Sequence, residues 1–110
     1  MSTAKTEVEA GICQFKSKIT ATSDNEQNVS FDIETDCENI SKLAKELTEV
    51  DAYNEIKEGF DGKLYGIIRK NLKGCCSGCA VPVGIFKSMQ VAANLALPKD
   101  IVIKIKKEQL

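Results

Sequence analysis

Two stretches near the N-terminus alternate between apolar and polar residues, a pattern typical of β-strands that bury one face. The first covers residues 11–22 and the second residues 29–37, and residues 23–27 between them have the polar composition of a turn. We therefore predict a β-hairpin with one side toward the core, preceded by a loose polar start over residues 1–8. The inward positions are Cys13, Phe15, Ile19, Ala21, Val29, Phe31, Ile33 and Cys37.

The register of this hairpin is limited by its parity. A slip of one residue would turn one apolar set to solvent, so odd positions must pair with odd positions. A loop centred on Asn25 meets this condition and places Ala21 opposite Val29 and Cys13 opposite Cys37. In this register the two cysteines lie side by side at the open end, because directly opposed Cβ atoms are about 4.5–5.5 Å apart. A slip of two residues also keeps the parity and stays open.

After Cys37 the apolar residues follow the period of an amphipathic helix, with Asp36 as the predicted N-cap. A second, short helix is predicted from Asp51 and a third from Leu64. A fourth is predicted around Pro82, because proline suits the first turn of a helix. The apolar positions of the first helix are Ile40, Leu43, Ala44 and Leu47.

The C-terminal end alternates again, with Ile101, Ile103 and Ile105 separated by Val102 and Lys104. This pattern predicts a last strand. The whole order predicts an α+β fold, in which a small antiparallel sheet is covered on one face by three to four helices. The sheet would consist of the N-terminal hairpin plus the C-terminal strand, in a single domain over residues 1–110.

Composition and charge exclude several function classes. The chain has 15 basic and 16 acidic residues, well mixed, and a net charge of −1, so it lacks the basic face of a nucleic-acid-binding protein. No window approaches the roughly 18 apolar residues of a membrane span. The N-terminus lacks the apolar core of a signal peptide. These features predict a cytoplasmic protein, in a compartment where clustered thiols indicate metal binding or catalysis rather than disulfides.

Three of the five cysteines lie in residues 74–79, a loop with two glycines between the third and fourth predicted helices, and the chain has no histidine. Thiolate ligands select zinc, copper(I) or iron–sulfur clusters. Structural zinc sites and Cys₄ clusters need four ligands. We therefore hypothesise a site for an iron–sulfur cluster or zinc, with one cysteine as an alternate ligand. The candidate ligands are Cys13, Cys37, Cys75, Cys76 and Cys79.

Other interpretations stay open. Cys13 and Cys37 also suit the role of small core residues. Cys76 and Cys79 form a Cys-x-x-Cys pair before a helix, as in thioredoxin-like motifs, although residues 64–72 predict a helix where such motifs have a strand. The alternatives are therefore a metal-free thiol redox or sulfur-carrier protein, or a non-catalytic binding module. No catalytic residue is assigned, since the common general base is missing. A protein partner and the oligomeric state are left open.

Three segments carry a resemblance to known proteins: residues 11–13, the pair Cys37-Glu38, and residues 73–87. They resemble a small group of uncharacterised cysteine-containing proteins of anaerobic prokaryotes, over most of the chain, which implies no known activity. More distantly, the order of strand, cysteine, helix and Gly-Cys loop resembles the TSCPD domain, which is found attached to ribonucleotide reductases. Glu38 stands where that domain usually has glycine, and the Ser-Cys-Pro-Asp segment is missing. That resemblance implies an architecture and no function.

Overall fold

The computed structural model describes residues 1–109 and is built on one four-stranded antiparallel sheet. In sheet order its strands are β1 (Ser2–Glu9), β2 (Lys16–Ser23), β3 (Asn28–Thr35) and β4 (Glu49–Asp51). The helices are α1 (Glu38–Glu46), α2 (Ala52–Glu58), α3 (Lys63–Asn71) and α4 (Val81–Ala92), and short 3-10 turns cover Gly59–Asp61 and Gly74–Gly78. The predicted α+β class, with an antiparallel sheet covered on one face by helices, is confirmed.

The inner face of the sheet keeps the predicted parity. Ile19, Ala21 and Val29 are buried beneath the helices, with α4 packed on β1 and β2 and α1 packed on β3. The other face of the sheet is charged. There Lys18 lies between Glu7 of β1 and Glu34 of β3, and opposite charges on neighbouring strands stabilise a solvated face.

The loose start predicted for residues 1–8 is wrong, because Ser2–Glu9 forms β1, paired along its whole length with β2. Its inward residues are Ala4, Thr6 and Val8, which are small or polar and gave little apolar signal. The packing of helix α4 explains why the inward residues of β1 are small or polar. This helix passes so close to β1 that a Cβ added at Gly84 would lie 2.7 Å from Cγ2 of Val8.

The hairpin of β2 and β3 takes the register that is two residues away from the Asn25-centred one. Ala21 pairs with Phe31 rather than with Val29. The loop is the physical reason. Oδ1 of Asn25 accepts hydrogen bonds from the backbone N–H groups of Gln27 and Asn28 at 3.0 and 2.8 Å, and Glu26 takes a left-handed φ of 61°. This Asx turn centres the loop one residue later, which moves the pairing by two.

The expected pairing of Cys13 with Cys37 is wrong as well. Cys13 lies in the turn before Lys16, where β2 begins, so it is not part of a strand. The four predicted helices are present, and Asp51 caps α2 by accepting a hydrogen bond from the backbone of Asn54 at 3.2 Å. At α1 the N-cap is Cys37 rather than Asp36.

The C-terminal strand predicted from Ile101, Ile103 and Ile105 is not formed within the described residues. Residues 97–109 carry no regular structure, and these three side chains are exposed. Alternation decides which side chains share a face, but a strand also needs a neighbour with free backbone groups. In this chain β1 and β4 take the two edges of the sheet, and residues 97–109 contain no turn that returns the chain to an edge.

Candidate functional site

Cys13 lies at an exposed turn that joins β1 to β2. The turn is closed by two backbone hydrogen bonds, from the N–H of Ala10 to the carbonyl of Phe15 at 3.2 Å and from the N–H of Gln14 to the carbonyl of Gly11 at 2.8 Å. Gly11 has a φ of 92°, which a side-chain-bearing residue rarely adopts. The turn therefore presents the thiol of Cys13 at the surface, at the end of the sheet where β3 leads into α1.

Cys37 occupies the junction between β3 and α1. Its backbone N–H donates to Oγ1 of Thr35 at 3.1 Å, and its carbonyl accepts the N–H of Ser41 at 2.9 Å, the first hydrogen bond of the helix. Its side chain packs against the core while remaining partly exposed. Its thiol lies at the start of α1 but makes no side-chain hydrogen bond to the first turn of that helix.

The loop after α3 contributes two more thiols. Residues Gly74–Gly78 form a 3-10 turn, closed when the N–H of Cys79 donates to the carbonyl of Cys76 at 3.1 Å. Asn39 of α1 donates from Nδ2 to Sγ of Cys76 at 3.5 Å, which links this loop to the helix that Cys37 begins. Cys76 and Cys79 are half-buried and pack against the core.

These elements bring four thiols together, and we refer to Cys13, Cys37, Cys76 and Cys79 as the cysteine corner. Burial raises the pKa of the Cys79 thiol above its usual range. A hydrogen bond from the N–H of Val81 to its Sγ, at 3.5 Å, opposes that shift. The charges of the Cys13, Cys37 and Cys76 thiolates raise the pKa further, so all three are within electrostatic reach of Cys79.

The fifth cysteine lies outside this group. Cys75 is exposed, and its thiol is not among those that act on Cys79. The corner is also not preformed as a cage for an ion. Among residues 1–109, no three side chains of the histidine, cysteine, aspartate or glutamate type lie close enough together to hold a metal as they stand. The structure thus gathers four of the five predicted ligands without converging them on one point.

A hydrogen-bond network fixes the helices that carry the corner. Glu46, at the end of α1, accepts hydrogen bonds from Nζ of Lys70 at 2.6 Å and Nδ2 of Asn71 at 2.7 Å, both at the end of α3. The hydrogen bond from Lys70, with that from Asn71, holds the pKa of the Glu46 carboxyl below its usual range. The network sets α1, which begins at Cys37, against the helix that leads into residues 74–79.

The sequence interpretation missed Asn39. Its position two residues after Cys37 was the available signal, since that places it in the first turn of α1, facing away from the buried stripe of Ile40 and Leu43. An exposed amide there has no packing role, and in the structure it reaches Cys76.

Comparisons with known proteins add a family and no activity. A family model described as a family of unknown function (DUF6951) matches residues 4–105. No curated protein and no solved structure matches the chain. Within residues 1–109, no helix has both the length and the apolar character needed to cross a membrane.

Proposed function

We propose that this chain, which belongs to the family of unknown function DUF6951, is a metal-binding protein that holds an iron–sulfur cluster or a zinc ion. The proposed ligands are the four thiols of the cysteine corner, with Cys75 as an alternate. The observation that carries the proposal is that three separate segments, the β1–β2 turn, the start of α1 and the loop before α4, bring these thiols within electrostatic reach of Cys79.

The exposure of the four thiols favours ligands over core residues. Cysteines that serve as small hydrophobic residues are among the most buried of all residue types. Here Cys13 is exposed, and Cys37, Cys76 and Cys79 are only partly buried. Four accessible thiols at one corner add little to the core, whereas four thiolates complete a tetrahedral zinc site or a Cys₄ cluster.

A backbone N–H at the start of a helix supports one of these ligands. Sγ of Cys79 accepts the N–H of Val81, the first residue of α4, whereas Cys37, the N-cap of α1, makes no side-chain hydrogen bond to its helix. A bound metal ion deprotonates a coordinating thiol outright, and the N–H of Val81 would favour the charge that remains on Sγ of Cys79. Asn39 would act on Cys76 in the same sense.

The alternative of metal-free thiol chemistry is less well supported. The attacking form of a cysteine is its thiolate, so reactive cysteines have a lowered pKa. Burial and the neighbouring thiols raise the pKa of Cys79, so this thiol does not have the lowered pKa of an attacking cysteine. The same crowding of potential thiolates is relieved when a cation binds between them. The resemblance to the TSCPD domain remains a proposal about layout, and we draw no reductase-related role from it.

Metal binding would require a rearrangement of the corner, because its thiols do not converge on one point in the structure. Cys13 has the most freedom to move, since it lies on an exposed turn outside the sheet. Ligand binding that orders such a turn stabilises the folded state. We therefore expect the bound metal to raise the midpoint of thermal unfolding.

The direct test is to purify the protein under anaerobic conditions and measure iron, zinc and acid-labile sulfide per chain. Iron with sulfide would identify a cluster, and zinc without sulfide would identify a zinc site. We expect Cys37→Ser and Cys79→Ser to lose most of the bound metal. Cys75→Ser is the matched control, since it removes a thiol from the same loop but not from the corner, and we expect it to retain the metal.

Two outcomes would contradict the proposal. One is wild-type protein that carries only traces of any metal after anaerobic purification and after reconstitution with iron and sulfide or with zinc. The other is a metal content that is the same in wild type, Cys37→Ser and Cys79→Ser. If the metal-free protein instead forms a persulfide or a disulfide on its loop cysteines, the sulfur-carrier or redox alternative is supported. If none of these occurs, the binding-module alternative remains.

A further inference from the structure

The C-terminal segment of residues 101–105 has the sequence of a strand and no partner among the described residues. Its four aliphatic side chains are between 50 and 92% exposed. Burial of aliphatic side chains of this size stabilises a fold or an interface, so their exposure leaves a considerable stabilisation unused. The side chains that alternate on its first face are Ile101, Ile103 and Ile105, and on its second face Val102, Lys104 and Lys106.

An open sheet edge lies on the same molecule. β1 is the first strand of the sheet, and within residues 1–109 no strand pairs with its outer side. An edge strand presents a row of free N–H and C=O groups that can pair with another chain. Beside the start of β1 lies a shallow, open groove, lined by the apolar residues Val91, Leu95, Leu97 and Pro98 together with the polar residues Ser2 and Asn94.

We propose that residues 101–105 of one copy add to β1 of a second copy as a fifth strand, and that the reciprocal exchange makes a symmetric dimer. The parity of a strand decides which faces meet. When the three isoleucines continue the inner face of Ala4, Thr6 and Val8, they lie on the side of the sheet that α4 covers. They would then extend the apolar surface of Val91 and Leu95 and close the groove.

Charge on the opposite face is complementary when the added strand runs parallel to β1 with Ile101 opposite Ala4, because Lys104 and Lys106 then lie opposite Glu7 and Glu9. The residues of β1 that point outward toward its C-terminal end are Glu7 and Glu9, and the outward residues of the added strand are Lys104 and Lys106. Opposite charges on neighbouring strands stabilise their pairing. The same arrangement already exists inside the sheet, where Lys16 forms an ion pair with Glu9 at 3.6 Å.

The path of the chain favours a second copy over the chain's own sheet edge. Residues 97–109 carry no turn, and the molecule measures 51 Å in its longest dimension against 27 and 25 Å in the others. Proline fixes its own φ and keeps the preceding residue extended, so the chain stays extended through Leu97 and Pro98. A segment that leaves its own domain in an extended form and carries an unpaired strand is suited to exchange between identical copies.

The test is the mass of the 110-residue protein in solution, measured by sedimentation equilibrium over a range of concentrations. We expect a dimer for wild type. Ile103→Pro removes a backbone donor from the middle of the added strand, and we expect it to raise the dimer dissociation constant by roughly 100-fold. The matched control is Gln109→Pro, which places the same ring beyond the alternating residues and should leave the dimer unchanged.

Hydrogen exchange locates the contact. In the dimer, the amides of residues 101–105 should be protected, and the protection should fall as dilution separates the copies. A monomeric wild type would overturn the proposal, whether or not these amides are protected, because protection in a monomer means that the strand returns to its own β1. A dimer that Ile103→Pro leaves intact would also overturn it, since the interface would then lie elsewhere. Far-ultraviolet circular dichroism of each variant confirms that the domain is folded.

Discussion

The contact between β1 and α4 differs from the cysteine corner in how tightly its side chains are packed. At the β1–α4 contact the side chains are small and closely fitted: Gly84 faces Val8, and the hydroxyl of Ser88 lies 2.6 Å from Oγ1 of Thr6. At the cysteine corner the side chains are polarisable, partly exposed and held by two long hydrogen bonds to sulfur, each 3.5 Å. The close packing between β1 and α4 restricts which side chains fit there, whereas the thiols of the cysteine corner can still change their positions.

This difference separates the region that contributes most to stability from the candidate site within one chain. Helix α4 takes part in both regions, because its middle packs on β1 and its first residue donates to Cys79. The rigid contact fixes the direction of the helix, and the helix in turn positions one side of the corner. Substitutions should therefore affect the free energy of unfolding at the first region, and metal content or thiol reactivity at the second.

The largest effect is expected for Gly84→Ala. A Cβ at this position would lie 2.7 Å from Cγ2 of Val8 and 3.3 Å from Cδ1 of Ile19, and neither strand side chain can move away freely. Overpacking of this kind costs typically about 1–3 kcal/mol, and the better helix propensity of alanine returns up to about 1 kcal/mol. We expect a net loss of about 1–2 kcal/mol in the free energy of unfolding, measured by urea denaturation.

Gly66→Ala is the matched control for that experiment. Gly66 also lies within a helix, but a Cβ there would meet only the guanidinium of Arg69, at an ordinary 3.6 Å. Without a steric cost, the gain in helix propensity should dominate and stabilise the protein by up to about 1 kcal/mol. If the two alanine variants shift stability in the same direction, the close approach of α4 to β1 is not the reason that Gly84 is glycine.

The same contact explains why β1 was not predicted from the hydrophobic pattern of the sequence. Hydrophobic alternation marks strands whose inward residues are large, as at Ile19 and Val29, and those strands were predicted. In β1 the inward residues are limited by the helix above them, so Thr6 takes the place of an aliphatic residue and hydrogen bonds to Ser88. Ser88, the hydrogen-bond partner that accounts for a polar residue at Thr6, is 82 residues away in the chain, so no local sequence pattern could reveal it.

A smaller loss of stability is expected for Ser88→Ala. The Ser88 hydroxyl is buried and lies 2.6 Å from both Oγ1 of Thr6 and the carbonyl oxygen of Gly84. Removing one partner of such a pair leaves the other unsatisfied, at a cost of about 1–3 kcal/mol, from which the better helix propensity of alanine subtracts several tenths. We expect a net loss of about 1 kcal/mol, measured by urea denaturation.

The double variant Thr6→Val with Ser88→Ala tests that explanation. Replacing both partners by apolar groups leaves no unpaired hydroxyl, so the double variant should be more stable than the sum of the two single changes predicts. Strict additivity of the two free-energy changes would mean that the two hydroxyl groups do not interact.

For the candidate site, the sequence singled out the five cysteines but did not predict the route by which four of them come together. Cys13 was expected to reach Cys37 by strand pairing, whereas it reaches the corner from a turn outside the sheet. The Asx turn at Asn25 shifted the register, and a turn is set by a few hydrogen bonds that parity cannot reveal. The loop of residues 74–79 was predicted correctly because its two glycines and the following proline are local signals.

The smallest effect, and the one most specific to the corner, concerns the reactivity of Cys79. Burial and the neighbouring thiols raise its pKa, so a smaller fraction of it is thiolate at any pH near neutrality. In metal-free, reduced protein we expect iodoacetamide to modify Cys79 several-fold more slowly than the exposed Cys75 near pH 7.5. Mass spectrometry of the proteolytic peptides gives both rates in one sample, provided that the two cysteines are resolved by fragmentation.

The way in which the free energy of unfolding depends on pH gives a second measurement. Because the folded state holds the Cys79 proton more tightly than the unfolded chain, this group stabilises the fold below the ordinary thiol pKa of about 8.5, and the stabilisation is lost as the pH rises through the higher folded value. The Cys79→Ala variant should lose that part of the pH dependence, whereas Cys75→Ala should keep it. Equal alkylation rates for the two cysteines, with the same pH dependence of unfolding in both variants, would mean that Cys79 is as solvated as Cys75. Cys79 would then lack the partial burial that distinguishes it from a cysteine of an open loop.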